Sequence, residues 1–233
     1  MSSSMNSSII PQLVRKDFLI MRKTILIFCL VSLVSIGILS VLFGRIPNWV
    51  LVNIAFIFLL APAVTCGIVL LMKTIVFEKE KSTQLFIMSL PVTAKQLTLS
   101  KLLLNIPIFG AFWLAVSAVA FYFSFGLGVF PKGTVPFITI VFLGVFVAYT
   151  CILSVSLIFQ SMPMSVLSIM IFELGTSAYL WAIVFLEPIQ KHIYGSIMVW
   201  NSTAITIVVT QIVVAISILL MTLYIQSKKR SFI

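Results

Sequence analysis

The chain has 233 residues, 61% apolar and 9% charged, and a mean hydropathy of +1.25. Soluble domains of ordinary composition do not reach such values, so a water-soluble enzyme is excluded. Fifteen basic residues against five acidic ones give a formal charge of +10. They are confined to short segments between long apolar runs, a distribution that points to lipid headgroups rather than nucleic acid.

In chain order, the first pattern covers 9–23. Ile10, Leu13, Val14, Phe18 and Met21 recur at helical spacing, with Arg15, Lys16, Arg22 and Lys23 between them. Such a stripe predicts a helix in the inner headgroup layer with Pro11 in its first turn. A plain basic anchor is the alternative, and the segment alone leaves the two open. Apolar runs follow at 25–43, 49–76, 102–125, 137–159, 164–186 and 203–225. At about 1.5 Å per residue each is long enough to cross a hydrocarbon core of about 30 Å. Pro62 predicts a bend in the second. Unbroken runs lack the alternation of barrel strands, so the fold class is an all-α integral membrane protein: six transmembrane helices in a single transmembrane domain, 1–233.

Positive residues are retained on the cytoplasmic side. With the N-terminus inside, Arg15, Lys16, Arg22, Lys23, Lys73, Lys79, Lys81, Lys95, Lys101, Lys228, Lys229 and Arg230 face the cytoplasm, and Arg45, Lys132 and Lys191 face out. Twelve against three predicts a multi-pass protein of the cell membrane with both termini cytoplasmic. The first run lacks a small-residue cleavage site and is expected to be a retained helix. Cys29, Cys66 and Cys151 fall in predicted helices at unmatched depths, as packing residues rather than a disulfide or zinc set. The one histidine, His192, sits in an outer loop without a second ligand. No catalytic and no metal-binding residue is assigned.

The polar stretch 77–101 carries the most information. It opens with Glu78, Lys79, Glu80 and Lys81, continues with the amphipathic run Leu85, Phe86, Met88 and Leu90, and turns at Pro91. Proline disfavours helix in the residue before it, which predicts a corner between two short helices. Thr93 is placed to cap the second. A helical corner this short and apolar on one side needs a surface to pack on, either the bilayer or a partner. Glu78 or Glu80 is expected to pair with Arg15, Lys16, Arg22 or Lys23; a solvated charge run is the alternative. No G-x-x-x-x-G-K-[ST] loop is present to cradle nucleotide phosphates.

Glu173 lies near the middle of 164–186, where an acidic residue costs about 2.5 to 3.5 kcal/mol. It predicts a bundle-interior carboxylate on a substrate path or subunit interface, with Thr176 one turn on; a protonated structural glutamate stays open. In 187–202, Pro188 and the Glu187/Lys191 spacing suit a short outer helix, or a loop anchored by Trp200.

Glu78-Lys79-Glu80-Lys81-Ser82-Thr83, then Met88-Ser89-Leu90-Pro91-Val92, closed by Ser100-Lys101, resembles the signature between the second and third helices of ABC-2 type permeases. The opening Leu13-Val14-Arg15-Lys16-Asp17-Phe18 is similar to the start of the same proteins. Ser82 stands where glycine is common, and Ala94 where a basic residue is. The resemblance implies that 77–101 carries a coupling helix, with Glu78, Glu80, Leu85, Phe86, Met88, Leu90, Pro91 and Lys101, docked on cytosolic ABC ATPase subunits. It implies that 9–23, with Leu13, Arg15, Lys16, Phe18 and Arg22, is the elbow helix. A second permease subunit, identical or a sister chain, would complete the translocation path among membrane lipids. ATP and magnesium would belong to the ATPase, leaving this chain a transport subunit without cofactor or enzymatic activity of its own. The expected role is export, and an apolar lining suits an amphipathic peptide, lipid-like molecule or drug. Two alternatives differ in class. An ion-coupled secondary transporter would use Glu173 as proton carrier and need no ATPase. An intramembrane enzyme would need a nucleophile-base pair or a ligand cluster at one depth.

Overall fold

The computed structural model describes residues 2–80 and 93–228. The described residues form helices without any strand: α1 (Ser2–Leu42), α2 (Asn48–Leu71), α3 (Ala94–Phe125), α4 (Val135–Phe159), α5 (Met162–Val184), α6 (Glu187–Ile193) and α7 (Ser202–Lys228). All but α6 are long and apolar enough to cross a membrane. The expected residues Leu85, Phe86, Met88, Leu90 and Pro91 lie outside the described residues.

Two helix starts depart from the sequence reading. The segment 9–23, expected as a separate helix, continues into the first crossing without a break. The junction Lys23-Thr24-Ile25 has neither glycine nor proline to interrupt it, and Leu13, Asp17 and Met21 keep one buried face in register. Pro11 therefore lies inside α1 rather than in its first turn. Helix α2 contains Pro62 and is followed by a π-helical turn, Met72–Val76, and the short α-helical turn Phe77–Glu80. Helix α3 begins at Ala94, earlier than the expected 102. Thr93 does cap it: its hydroxyl accepts from the Gln96 N–H at 3.2 Å, and the Gln96 side-chain oxygen accepts from the Thr93 N–H at 2.9 Å. This reciprocal cap starts the third crossing itself, so Lys101 sits within a helix and not in a loop.

Two three-helix groups make the bundle. One is α1, α2 and α3; the other is α4, α5 and α7; the groups meet where α4 packs on α2 and α3 and where α7 packs on α3. Lipid tails are as apolar as leucine, so such helices associate through close packing and hydrogen bonds rather than exclusion from water. Gly67 shows the closeness. A Cβ there would lie 2.6 Å from Phe109 and 2.8 Å from Tyr149, whose rings stack at 3.7 Å between centroids. Those rings belong to a core of Leu71, Ile75, Leu102, Leu153 and Leu157. A second core, with Leu39, Ala55, Phe112, Phe130 and Phe142, fills the space between α1, α2, α3 and α4 farther along.

The two ends of the bundle are tied differently. At one end, the Gln226 amide donates to the Leu157 carbonyl at 2.6 Å, joining the C-terminal turns of α7 and α4. At the other, α6 packs beneath the 3-10 turn Lys132–Thr134: the Gly133 N–H donates to Gly195 at 2.9 Å, and the Thr134 hydroxyl to Ile193 at 2.8 Å. A Cβ on Gly133 would fall 1.9 Å from the His192 carbonyl, so only glycine fits. The segment left open between helix and loop thus begins as a helix. Helices α1, α5 and α7 enclose the least of themselves within the chain and turn large apolar side chains outward, Leu26, Leu30 and Leu33 on α1 and Leu167, Met170 and Leu174 on α5 among them.

Candidate functional site

Four charged side chains converge where α1, α2 and α3 meet. Asp17 is carried on the buried face of α1, one turn from Leu13 and one from Met21; the three are 3%, 7% and 0% exposed. Glu78 follows the π-helical turn, and Lys101 lies two turns into α3. Lys16 projects beside Asp17.

Their contacts close a ring of alternating charge. The Lys101 ammonium donates to Asp17 Oδ2 at 2.7 Å and to Glu78 Oε2. The Lys16 ammonium donates to Glu78 Oε1 at 2.5 Å and lies 3.2 Å from Asp17 Oδ1. Each carboxylate thus serves both cations, and the ring is formally neutral. Lys101 and Asp17 are almost fully buried, at 4% and 3% side-chain exposure, while Lys16 is partly exposed. Burial pushes the Glu78 carboxyl up, but attraction to Lys101 and hydrogen bonds from Lys101 and Lys16 outweigh it and hold the group below the usual carboxylate range.

A neutral hydrogen-bonded layer lies one turn deeper. The Asn105 amide donates to the Lys101 carbonyl at 2.9 Å and to the Thr74 hydroxyl at 3.2 Å, and the Tyr149 hydroxyl donates to Asn105 Oδ1 at 3.4 Å. Thr74 belongs to the π-helical turn and its hydroxyl also donates to the Leu70 carbonyl at 2.8 Å. The charge ring and this layer together connect α1, α2, α3 and α4 through polar contacts. π-Helical turns recur at functional positions of helices, and this one supports Glu78 directly.

Among the residues expected from sequence, Glu78, Lys101 and Lys16 are brought together. Pairing of Glu78 with Lys16 is the partnership anticipated for the two segments. Leu13 packs against Leu97 of α3. Arg15, Phe18 and Arg22 are exposed along α1, and the side chain of Glu80 lies outside the described set. Asp17, which completes the ring, was missed. Its signal was present: an acid at helical spacing with Leu13 and Met21 on an apolar face. Glu173 is exposed in the single chain and, with Thr176, forms one wall of a groove of about 220 Å³ against Val64, Phe109 and Tyr149. Among the described residues it makes no ion pair. The segment after α5, for which helix and loop both stood open, forms α6, with Lys191 2.6 Å from Glu187. Cys29, Cys66 and Cys151 are free thiols.

The arrangement mechanically joins the chain on both sides of 81–92 to α1. The sequence model of a family described as "ABC-2 family transporter protein" matches residues 12–228. No curated protein and no solved structure matches. The match runs from the start of the charged face of α1 to the last residue of α7.

The chain therefore belongs to the ABC-2 transporter family, as a multi-pass permease domain whose family works with ABC ATPases.

Proposed function

We propose that this permease is the membrane subunit of an ATP-driven exporter, working with a second permease subunit and with cytosolic ABC ATPase subunits that dock on 77–101. The observation that carries the reading is the buried charge ring. Glu78 and Lys101 flank the docking segment on its two sides, and both are bonded to α1. A force applied between α2 and α3 would reach three helices together rather than bend one link. ATP and magnesium act on the ATPase, and this chain's part is to convert the displacement into movement of the bundle.

Cargo is an amphipathic or apolar molecule, a peptide, lipid-like compound or drug. The reading is supported by the groove lined by Glu173 and Thr176, whose walls are mostly apolar, with Val64, Ile68, Phe109 and Phe172 among them. Glu173 and Thr176 belong to the path or to the face shared with the second permease, because an exposed carboxylate at membrane depth is costly until covered.

Purified in mild detergent, the chain is expected to retain an ABC ATPase, and aspartate at Leu85, Phe86 and Met88 together to release it. Glu78→Lys should leave ATP hydrolysis by the retained complex intact while uncoupling it from transport. A chain that purifies alone and drives a fluorescent amphipathic peptide into vesicles on an ion gradient contradicts the proposal.

A further inference from the structure

Helices α1 and α3 are joined through Asp17 and Lys101, yet a groove of about 560 Å³ runs between them. Phe18, Ile25 and Ile36 of α1 stand on one wall, and Pro107, Ala111 and Ala115 of α3 on the other. The α3 residues recur every four positions, and the methyl groups of Ala111 and Ala115 leave open the space that longer side chains would take. Phe18, Ala111 and Ala115 are exposed, so the groove opens on the outer surface of the bundle. From Phe18 to Ile36, α1 rises about 27 Å, close to the thickness of a hydrocarbon core.

The same face of α1 ends in charge. Arg15, Phe18, Arg22, Ile25, Cys29, Ser32 and Ile36 follow one another at spacings of three and four, which places them on one side of the helix. Both arginines are exposed, and neither pairs with an acid among the described residues. Helices α1 and α3 carry a single acid between them, Asp17, and both of its oxygens already face ammonium groups of the ring. Lys23 is the last charged residue of α1. Arg22 therefore stands at the edge of the hydrocarbon, at the mouth of the groove, and Arg15 about 10 Å farther out.

We propose that this face binds an anionic phospholipid, with the headgroup phosphate held by Arg22 and Arg15 and one acyl chain laid along the groove. A guanidinium suits a phosphate because it offers two N–H groups to two oxygens. Net charge selects among phospholipids. A zwitterionic headgroup brings its own cation to a place where Arg15, Arg22 and Lys23 already lack acids, whereas an anionic one neutralises it. Charge also decides against a second copy of this chain as the occupant. Two copies meeting on this face would bring four arginines together with no acid to pair them.

The test uses the full chain in phosphatidylcholine vesicles with a trace of phosphatidylglycerol bearing a diazirine on one acyl chain and, in parallel, with phosphatidylcholine bearing the same chain. Labelling of peptides 25–36 and 107–119 is taken relative to α5, which is as little enclosed as α1 and has no basic residue. It should favour phosphatidylglycerol by about five-fold for each arginine. Arg22→Gln should lower the preference about five-fold, and Arg15→Gln with Arg22→Gln should abolish it. Ala111→Leu fills the groove from an exposed position and should reduce labelling of 107–119 by both probes. Equal labelling by the two lipids, preference unchanged in the double variant, or labelling of 107–119 undiminished in Ala111→Leu overturns the proposal. A photoreactive residue at Ala115 that captures a second copy of the chain instead of lipid also overturns it.

Discussion

The charge ring of α1, α2 and α3 and the amide pocket of α4, α5 and α7, where Gln211 donates to the Ile140 carbonyl and the Tyr179 oxygen, are both polar islands in an apolar bundle, yet they are finished to different degrees. In the ring every carboxylate oxygen has an ammonium, and in the pocket Gln211 Oε1 has no hydrogen-bond partner among the described residues. A closed network stiffens the helices that own it, because any shift leaves a buried charge uncompensated. The difference sets a charge-locked group of helices beside one joined by fewer polar contacts.

Breaking the ring should produce the largest effect. Lys101→Met leaves Asp17 and Glu78 with only the partly exposed Lys16 between them and is expected to cost about 3 to 5 kcal/mol, seen as a lower denaturation midpoint in detergent. An unchanged midpoint would make the ring ornamental. Next comes the packing that supports the layer below it. Gly67→Ala puts a methyl group against Phe109 and Tyr149 and should destabilise by about 1 to 3 kcal/mol, a loss that Phe109→Leu in the same chain partly relieves.

Acid sharpens the comparison further. Because the Glu78 carboxyl is held below its ordinary range, its contribution is complete above the ordinary carboxylate pKa and is lost as pH falls through the lowered one. The midpoint of the parent chain should therefore drop on acidification more than that of Glu78→Gln, and parallel curves would remove Glu78 from the account. The smallest effect is expected at Lys191→Ala. Its ion pair with Glu187 is as short as those of the ring, but the side chains are 65% and 76% exposed, so the change in midpoint should correspond to less than about 0.5 kcal/mol. Geometry alike and burial unlike, the two pairs separate distance from environment.

Much of the frame was legible before any coordinates. Six long apolar runs end close to the helix limits seen, since a stretch that must satisfy its backbone inside lipid has no choice but helix. Thr93 announced its cap, and Glu78 its pairing with the N-terminal segment. Asp17 escaped because a single acid among Leu13, Lys16 and Met21 reads as one more surface charge until the face it occupies is known to be covered. Gln211 escaped more completely. In sequence it is an amide in an apolar run, and nothing nearby in the chain names Tyr179 or the Ile140 carbonyl as its partners.

What the amino-acid order determined by itself was class and count: a membrane bundle, its crossings, its charge distribution and the motif that marks the ABC-2 family, all local properties of hydropathy and spacing. Which polar groups meet was decided only by the tertiary structure. Asp17 finds Lys101 across 84 positions of chain, and Gln211 finds Ile140 across 71. Such pairings depend on how helices rotate and approach, and close packing at positions such as Gly67 sets that approach rather than the pattern along any one helix.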